Sequence, residues 1–217
     1  MMHSHSHENP AQTEGRLIRW ASSYDLLTNM LTLGQANRLR TMTIENALLK
    51  PGESVLDVGC GTGGVTIPAR QRVGSTGKAA GIDPSPEMIA VARQKAQRKG
   101  LEIDFRIGVI EALPYPDATF DVVTSSLMMH HLPDNLKVSG LAEIYRVLKP
   151  GGRLLIADML SPKSSPHQRL LATMFMHRRL ETGLEDLQDI LKGTGFQEVS
   201  LLKQRFLVIG FLRAGKA

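Results

Sequence analysis

The chain has 217 residues, 42% hydrophobic and 22% charged, with a formal net charge of +5. That length fits one domain with a substantial core, and so modest a basic excess gives little reason to expect a nucleic-acid partner. The one cysteine, Cys60, excludes an intrachain disulfide and a multi-cysteine zinc site. Apolar runs such as Phe206 to Phe211 are strand-sized, far short of the roughly 18 residues of a membrane span. No signal-peptide order opens the chain, so a cytoplasmic protein is the expectation.

Residues 1–14 are polar, with alternating His3, His5 and His7, and read as a disordered tail. Residues 15–50 read as a helical cap. Leu17, Trp20, Tyr24, Leu27 and Leu31 recur at helical spacing, and Ile44 to Leu49 continues helically until Pro51-Gly52. From residue 51 onward strands and helices alternate. Ser54 to Val58 is a first strand, followed by the glycine turn and a short helix containing Pro68. Ala79 to Ile82 is a second strand, and Ser85-Pro86-Glu87 caps a helix that runs to Gly100.

Ile103 to Ile107 and Phe120 to Ser125 read as strands three and four. A helix over Leu136 to Leu148, a turn at Lys149-Pro150-Gly151-Gly152 and a fifth strand over Arg153 to Ala157 follow. Leu170, Leu171, Met174 and Phe175 suggest an amphipathic helix, and Leu184 to Leu191 a last one. Glu198 to Leu202 and Phe206 to Leu212 close the chain as two strands around a polar turn. The order predicts an α/β, Rossmann-like doubly wound sheet of seven mostly parallel strands with an antiparallel hairpin strand at the C-terminus.

Val55-Leu56-Asp57-Val58-Gly59-Cys60-Gly61-Thr62-Gly63-Gly64 organises this pattern. A strand that ends in glycines and turns into a helix lets a flat ligand approach the backbone near free helical N–H groups. Gly59, Gly61 and Gly64 also satisfy the dinucleotide fingerprint, so a nicotinamide cofactor and an oxidoreductase remain open at this point. Asp57 weighs the other way, because a carboxylate there repels a pyrophosphate and helps position a cationic sulfonium or ammonium group. Asp83, at the end of the second strand, stands where an acid in such folds accepts hydrogen bonds from ribose hydroxyls.

With the glycine turn, Gly81-Ile82-Asp83, Phe120-Asp121-Val122-Val123 and Arg146-Val147-Leu148-Lys149-Pro150-Gly151-Gly152 in order, the chain resembles class I S-adenosylmethionine-dependent methyltransferases. Within the class it is most similar to the small-molecule branch that includes ubiquinone and menaquinone C-methyltransferases. The resemblance implies that Asp57, Gly59, Cys60 and Gly61 hold the methionine half of S-adenosylmethionine. It also implies that Asp83 binds ribose, that Pro84 and Met88 flank adenine, and that Ser125 and Ser126 present backbone near the methionine amino group.

The family often has Gly-Asp-Ala-Glu after strand three, where this chain has Gly108-Val109-Ile110-Glu111. The adenine contact would therefore fall to the Val109 and Ile110 segment or to Glu111. Tyr24-Asp25-Leu26-Leu27-Thr28 is similar to the quinone branch's Tyr-Asp-x-Met-Asn, with Leu27 and Thr28 departing, and it brings Tyr24 to the cofactor. No Asn-Pro-Pro-Tyr follows strand four, which argues against nucleic-acid and glutamine acceptors. His130 and His131 are candidate bases there, histidine titrating near neutrality, with shaping of the loop as their other reading.

The implied reaction is in-line methyl transfer to a small or lipid-like acceptor, with peripheral membrane contact compatible with the basic charge. A non-catalytic protein that binds the same cofactor as a sensor is the other class of reading.

Overall fold

A computed structural model describes residues 34–161 and 183–217. The tail over 1–14, the helix bearing Trp20 and Tyr24, and the Leu170 to Phe175 segment lie outside the described residues. Seven strands form one sheet: β1 Ser54–Val58, β2 Lys78–Asp83, β3 Asp104–Ile107, β4 Phe120–Ser126, β5 Leu148–Met159, β6 Gln197–Phe206 and β7 Ile209–Gly215. Their order is β3-β2-β1-β4-β5-β7-β6. Neighbours are parallel from β3 through β5, and β7 runs antiparallel to both β5 and β6.

Among the described residues five α-helices cover the sheet: α1 Ala36–Asn46, α2 Thr66–Val73, α3 Pro86–Arg98, α4 Asp134–Val147 and α5 Leu187–Thr194. The central strands are apolar at successive positions because both faces are covered. Val55, Val122, Leu155 and Phe211 pack with Leu39 and Met42 of α1 and Val73 of α2. Their neighbours Leu56, Val123, Leu154 and Leu212 pack with Leu141 and Ile144 of α4 and Leu187 and Leu191 of α5. Ile89 and Ala92 of α3 close over Cys60, Ile67 and Phe105. No described helix is long and apolar enough to cross a membrane.

The helix start expected at Ser85 is present. Ser85 Oγ accepts the Met88 N–H at 3.2 Å and Pro86 takes the first helical position. Two boundaries differ from the sequence expectation. Lys149 to Gly152 belongs to β5 rather than to a separate turn. The ladder to β4 is interrupted between Leu148 and Arg153, while Gly151 N–H donates to Lys216 O at 2.9 Å and Lys216 N–H to Gly152 O at 2.8 Å. The intervening residues are a bulge held by the C-terminal segment.

The hairpin turn is at Leu207-Val208, where Phe206 faces Ile209, and not at Lys203 to Arg205. Those polar residues are exposed on β6 because it is the sheet's edge strand, which charge protects from pairing with another chain.

Arg153 ties α1 to the sheet. Its guanidinium donates to the Ala47 carbonyl at 2.8 Å, to the Leu48 carbonyl, and to Glu53 at 2.9 and 2.7 Å.

Candidate functional site

The connections from β1 to β2 and from β3 to β4 leave β1 on opposite sides, which opens a crevice above the carboxyl ends of β1 and β4. The acids Asp57, Asp83 and Asp158 fall at or near the carboxyl ends of β1, β2 and β5, with Ser125 and Ser126 at the end of β4. Sheet topology alone thus brings most of the sequence-predicted residues to one edge.

Asp57 is 2% exposed. Its oxygens accept the Thr66 hydroxyl at 2.7 Å and the Thr124 hydroxyl at 2.8 Å, Thr124 lying opposite it in the β1–β4 register. Burial pushes its carboxyl up to about 6, the two hydroxyls pull the other way, and the charge of Asp83 adds to the rise. Asp57 is thus a buried carboxylate whose described hydrogen-bond partners are neutral.

The turn beyond it carries positive φ at Gly59 (+73°) and Gly61 (+52°). Both N–H groups at its entry, those of Gly59 and Cys60, are held by Ile82 O at 2.9 and 3.0 Å. A side chain at Gly59 would collide with Met128. Cys60 is buried, and burial, followed by the charges of Asp83 and Asp57, pushes its thiol well up, so it lines the turn as an inert group and not as a nucleophile.

Asp83 already has two structural contacts. Its Oδ2 accepts the Gly61 N–H at 3.0 Å and its Oδ1 the Ser85 N–H at 2.9 Å. Burial raises its carboxyl and these two bonds partly oppose the rise. Each oxygen keeps a second lone pair, which a ribose diol can use.

Pro84 is half-buried beside it, while Met88 is buried against the sheet. Val109 and Glu111 are half-buried. The Ile110 side chain is buried in the main core, where Gly140 of α4 leaves room for it, so only its backbone is left for an adenine edge. Ser126 is half-buried. Ser125 is fully buried beside Val58, and its Oγ has no hydrogen-bond partner among the described residues.

Three residues of the site, Thr66, Thr124 and Arg40, went unread in the sequence, while Asp158 loosely matches an acid that the quinone branch has after strand five. Thr66 and Thr124 hold Asp57, and the signal for Thr124 was a hydroxyl inside an otherwise apolar strand. Arg40 of α1 lies against the turn, its Nε 2.8 Å from where a Cβ on Gly64 would be. Asp158 meets His130, whose Nδ1 stands 2.6 Å from Asp158 Oδ1.

A donor carrying a sulfonium, an ammonium and a ribose suits this edge on three counts. Among the described residues Asp57 has no cation bonded to it and the buried Ser125 hydroxyl has no partner, and the glycine turn brings bare backbone to the same place. In sheet order the chain is similar to the class I methyltransferase architecture. The family profile described as Methyltransferase domain matches residues 55–152, the span from β1 through the bulge of β5.

More particularly, the chain is similar to the quinone branch of that class. It is 38% identical over 142 residues to a demethylmenaquinone methyltransferase of Thermus thermophilus, covering 65% of this chain and 63% of the relative. It is 36% identical over 170 residues to a ubiquinone/menaquinone biosynthesis C-methyltransferase of Hydrogenovibrio crunogenus, covering 77% of this chain and 65% of the relative. The chain thus spans a little under two thirds of these relatives' length. A solved S-adenosylmethionine-dependent methyltransferase from Aquifex aeolicus shares the fold, with a TM-score of 0.69 over 91% of this chain and 98% of that one at 24% identity.

Proposed function

We propose that the protein transfers a methyl group from S-adenosylmethionine to a small, lipid-like acceptor, and that this acceptor is of the quinol type named in its curated relatives. The observation that carries the donor assignment is the buried Asp57, whose hydrogen-bond partners among the described residues, the Thr66 and Thr124 hydroxyls and the Thr66 backbone, are all neutral, and which is placed at the switch point of the sheet. A pyrophosphate would meet that carboxylate as a like charge, which disfavours the nicotinamide reading.

In this reading S-adenosylmethionine supplies an electrophilic methyl on a cationic sulfur. Asp57 and Ser125 hold the methionine half and Asp83 the ribose. Tyr24, Pro84, Met88, Val109, Ile110, Glu111 and Ser126 are the remaining proposed contacts. The protein's part is to orient donor and acceptor in line and exclude water, which accounts for much of the acceleration in such transfers. The surplus of positive charge would let the protein collect a lipid-like acceptor at an anionic bilayer surface.

The test is transfer of labelled methyl from S-adenosylmethionine to demethylmenaquinol in detergent, with small amines and a phospholipid as comparison acceptors. Label on the quinol supports the reading. Label on the amines alone overturns the acceptor assignment.

A further inference from the structure

The turn Met129–His131 follows β4 directly and packs against β5. One carboxylate fixes it at two points. Asp158 Oδ1 lies 2.6 Å from His130 Nδ1, and Asp158 Oδ2 accepts the His130 backbone N–H at 3.2 Å. Asp158 itself is 2% exposed and is locked by the Met159 N–H, which donates to Oδ1 at 2.7 Å. Ring and backbone of His130 are therefore set by one rigid group at the end of a central strand.

A carboxylate accepts and does not donate, so this contact makes Nδ1 the proton-bearing nitrogen and leaves the lone pair on Nε2. Nε2 makes no hydrogen bond among the described residues, and the side chain is 10% exposed. The His131 ring covers one face of His130 at a centroid distance of 3.9 Å. Met128, the residue just before this turn, fills the space over Gly59, which joins the histidine turn to the glycine turn. The titratable groups that the described residues place against His130 are Asp158 from β5 and His131 from its own turn.

We infer that His130 is the general base of the transfer and Asp158 its positioning residue, so the acceptor belongs to the class that must shed a proton when methylated, such as a hydroquinone or phenol. The inference rests on the methyltransferase reading above. In the step, the acceptor's O–H proton passes to His130 Nε2 and the resulting anion forms the new bond to the methyl carbon, either from oxygen or from the conjugated ring carbon, which then gives up its own C–H proton as the oxygen regains one. The carbon–sulfur bond breaks with its pair returning to sulfur, so the sulfonium becomes a neutral thioether and the imidazolium later releases its proton to water. An acceptor that is already an unprotonated nucleophile would need none of this.

Burial alone would raise the Asp158 carboxyl, yet the charge and hydrogen bond of His130, with the Met159 and His130 N–H groups, bring it below the usual range.

The test combines ring NMR of 15N-labelled protein between pH 5 and 9 with activity on reduced 1,4-naphthoquinone and with S-adenosylhomocysteine calorimetry. The wild type should show a protonated Nδ1 and a lone-pair Nε2 for neutral His130. Asp158→Asn should let neutral His130 populate the tautomer protonated at Nε2, and should lower kcat at least tenfold with KM little changed. His130→Asn keeps a donor for Asp158 and should lose at least a hundredfold in kcat while S-adenosylhomocysteine affinity stays within twofold.

The opposite tautomer in the wild type, or full activity in His130→Asn, overturns the inference. So does an Asp158→Asn variant whose His130 tautomer and kcat are both those of the wild type. Calorimetry reports on the donor site alone and the ring spectrum on the dyad alone, so failure of the donor reading is told from failure of this one.

Discussion

Asp57 sets the residue-scale energetics of the proposed donor site. Its carboxyl titrates at about 6 in the native state against an ordinary 3.8, so the folded chain holds a proton that the unfolded chain gives up. Stability therefore falls as pH rises from about 4 through 6, and at neutral pH the buried charge costs on the order of 3 kcal/mol. Asp57→Asn removes that dependence. Thermal denaturation at pH 5 and pH 7 should show the wild type losing more stability than the variant, and an equal loss in both would contradict the burial argument.

A cationic ligand offsets the same cost, so S-adenosylmethionine should bind more tightly at pH 7 than at pH 5 and release a proton as it binds. Calorimetry in buffers of different ionisation enthalpy reads that release. Asp83 serves two purposes, which makes its variants informative as a pair. Asp83→Ala should weaken S-adenosylhomocysteine binding at least tenfold. Asp83→Asn keeps one acceptor oxygen for Gly61 or Ser85 and should fall between it and the wild type, whereas unchanged affinity in both removes the ribose assignment. Both acids were legible in the sequence because each ends an apolar strand. The His130–Asp158 pair was not, since the partners are 28 residues apart and meet only through the β4–β5 register.

At the scale of elements, Arg153 carries the join between α1 and the sheet. Removing it leaves the Ala47 and Leu48 carbonyls without this donor and the Glu53 carboxylate with the Lys50 N–H in place of three donors. Arg153→Ala should lower the unfolding free energy by about 2 kcal/mol with no change in the urea m-value, measured by equilibrium denaturation. A change below about 0.5 kcal/mol would mean that solvent replaces those bonds.

The same scale shows where composition misleads. Lys203-Gln204-Arg205 is polar because β6 is an edge, and polarity of an edge and polarity of a turn look alike in one dimension. Lys149 to Gly152 has the composition of a turn, yet its N–H and C=O groups find Lys216, a partner from the far end of the chain. Helix starts were easier to read, since Ser85 and Pro86 act within one turn of where they stand.

For the whole molecule, strand and helix alternation was enough to anticipate a doubly wound sheet, and an antiparallel end followed from the two closing strands. What alternation could not give is the insertion of β7 between β5 and β6, which depends on Phe211, Leu212 and Ala214 being buried on both faces. That arrangement fixes β5, and β5 positions Asp158.

The central claim is that this edge of the sheet holds a sulfonium nucleoside and not a dinucleotide. Titration calorimetry of the full chain with S-adenosylmethionine, S-adenosylhomocysteine and NAD tests it most directly. The account predicts saturable one-to-one binding of the first two, tighter for S-adenosylmethionine at pH 7 than at pH 5, and no heat from NAD. Binding of NAD in competition with S-adenosylhomocysteine, or no binding of either adenosyl ligand to the folded protein, would contradict it.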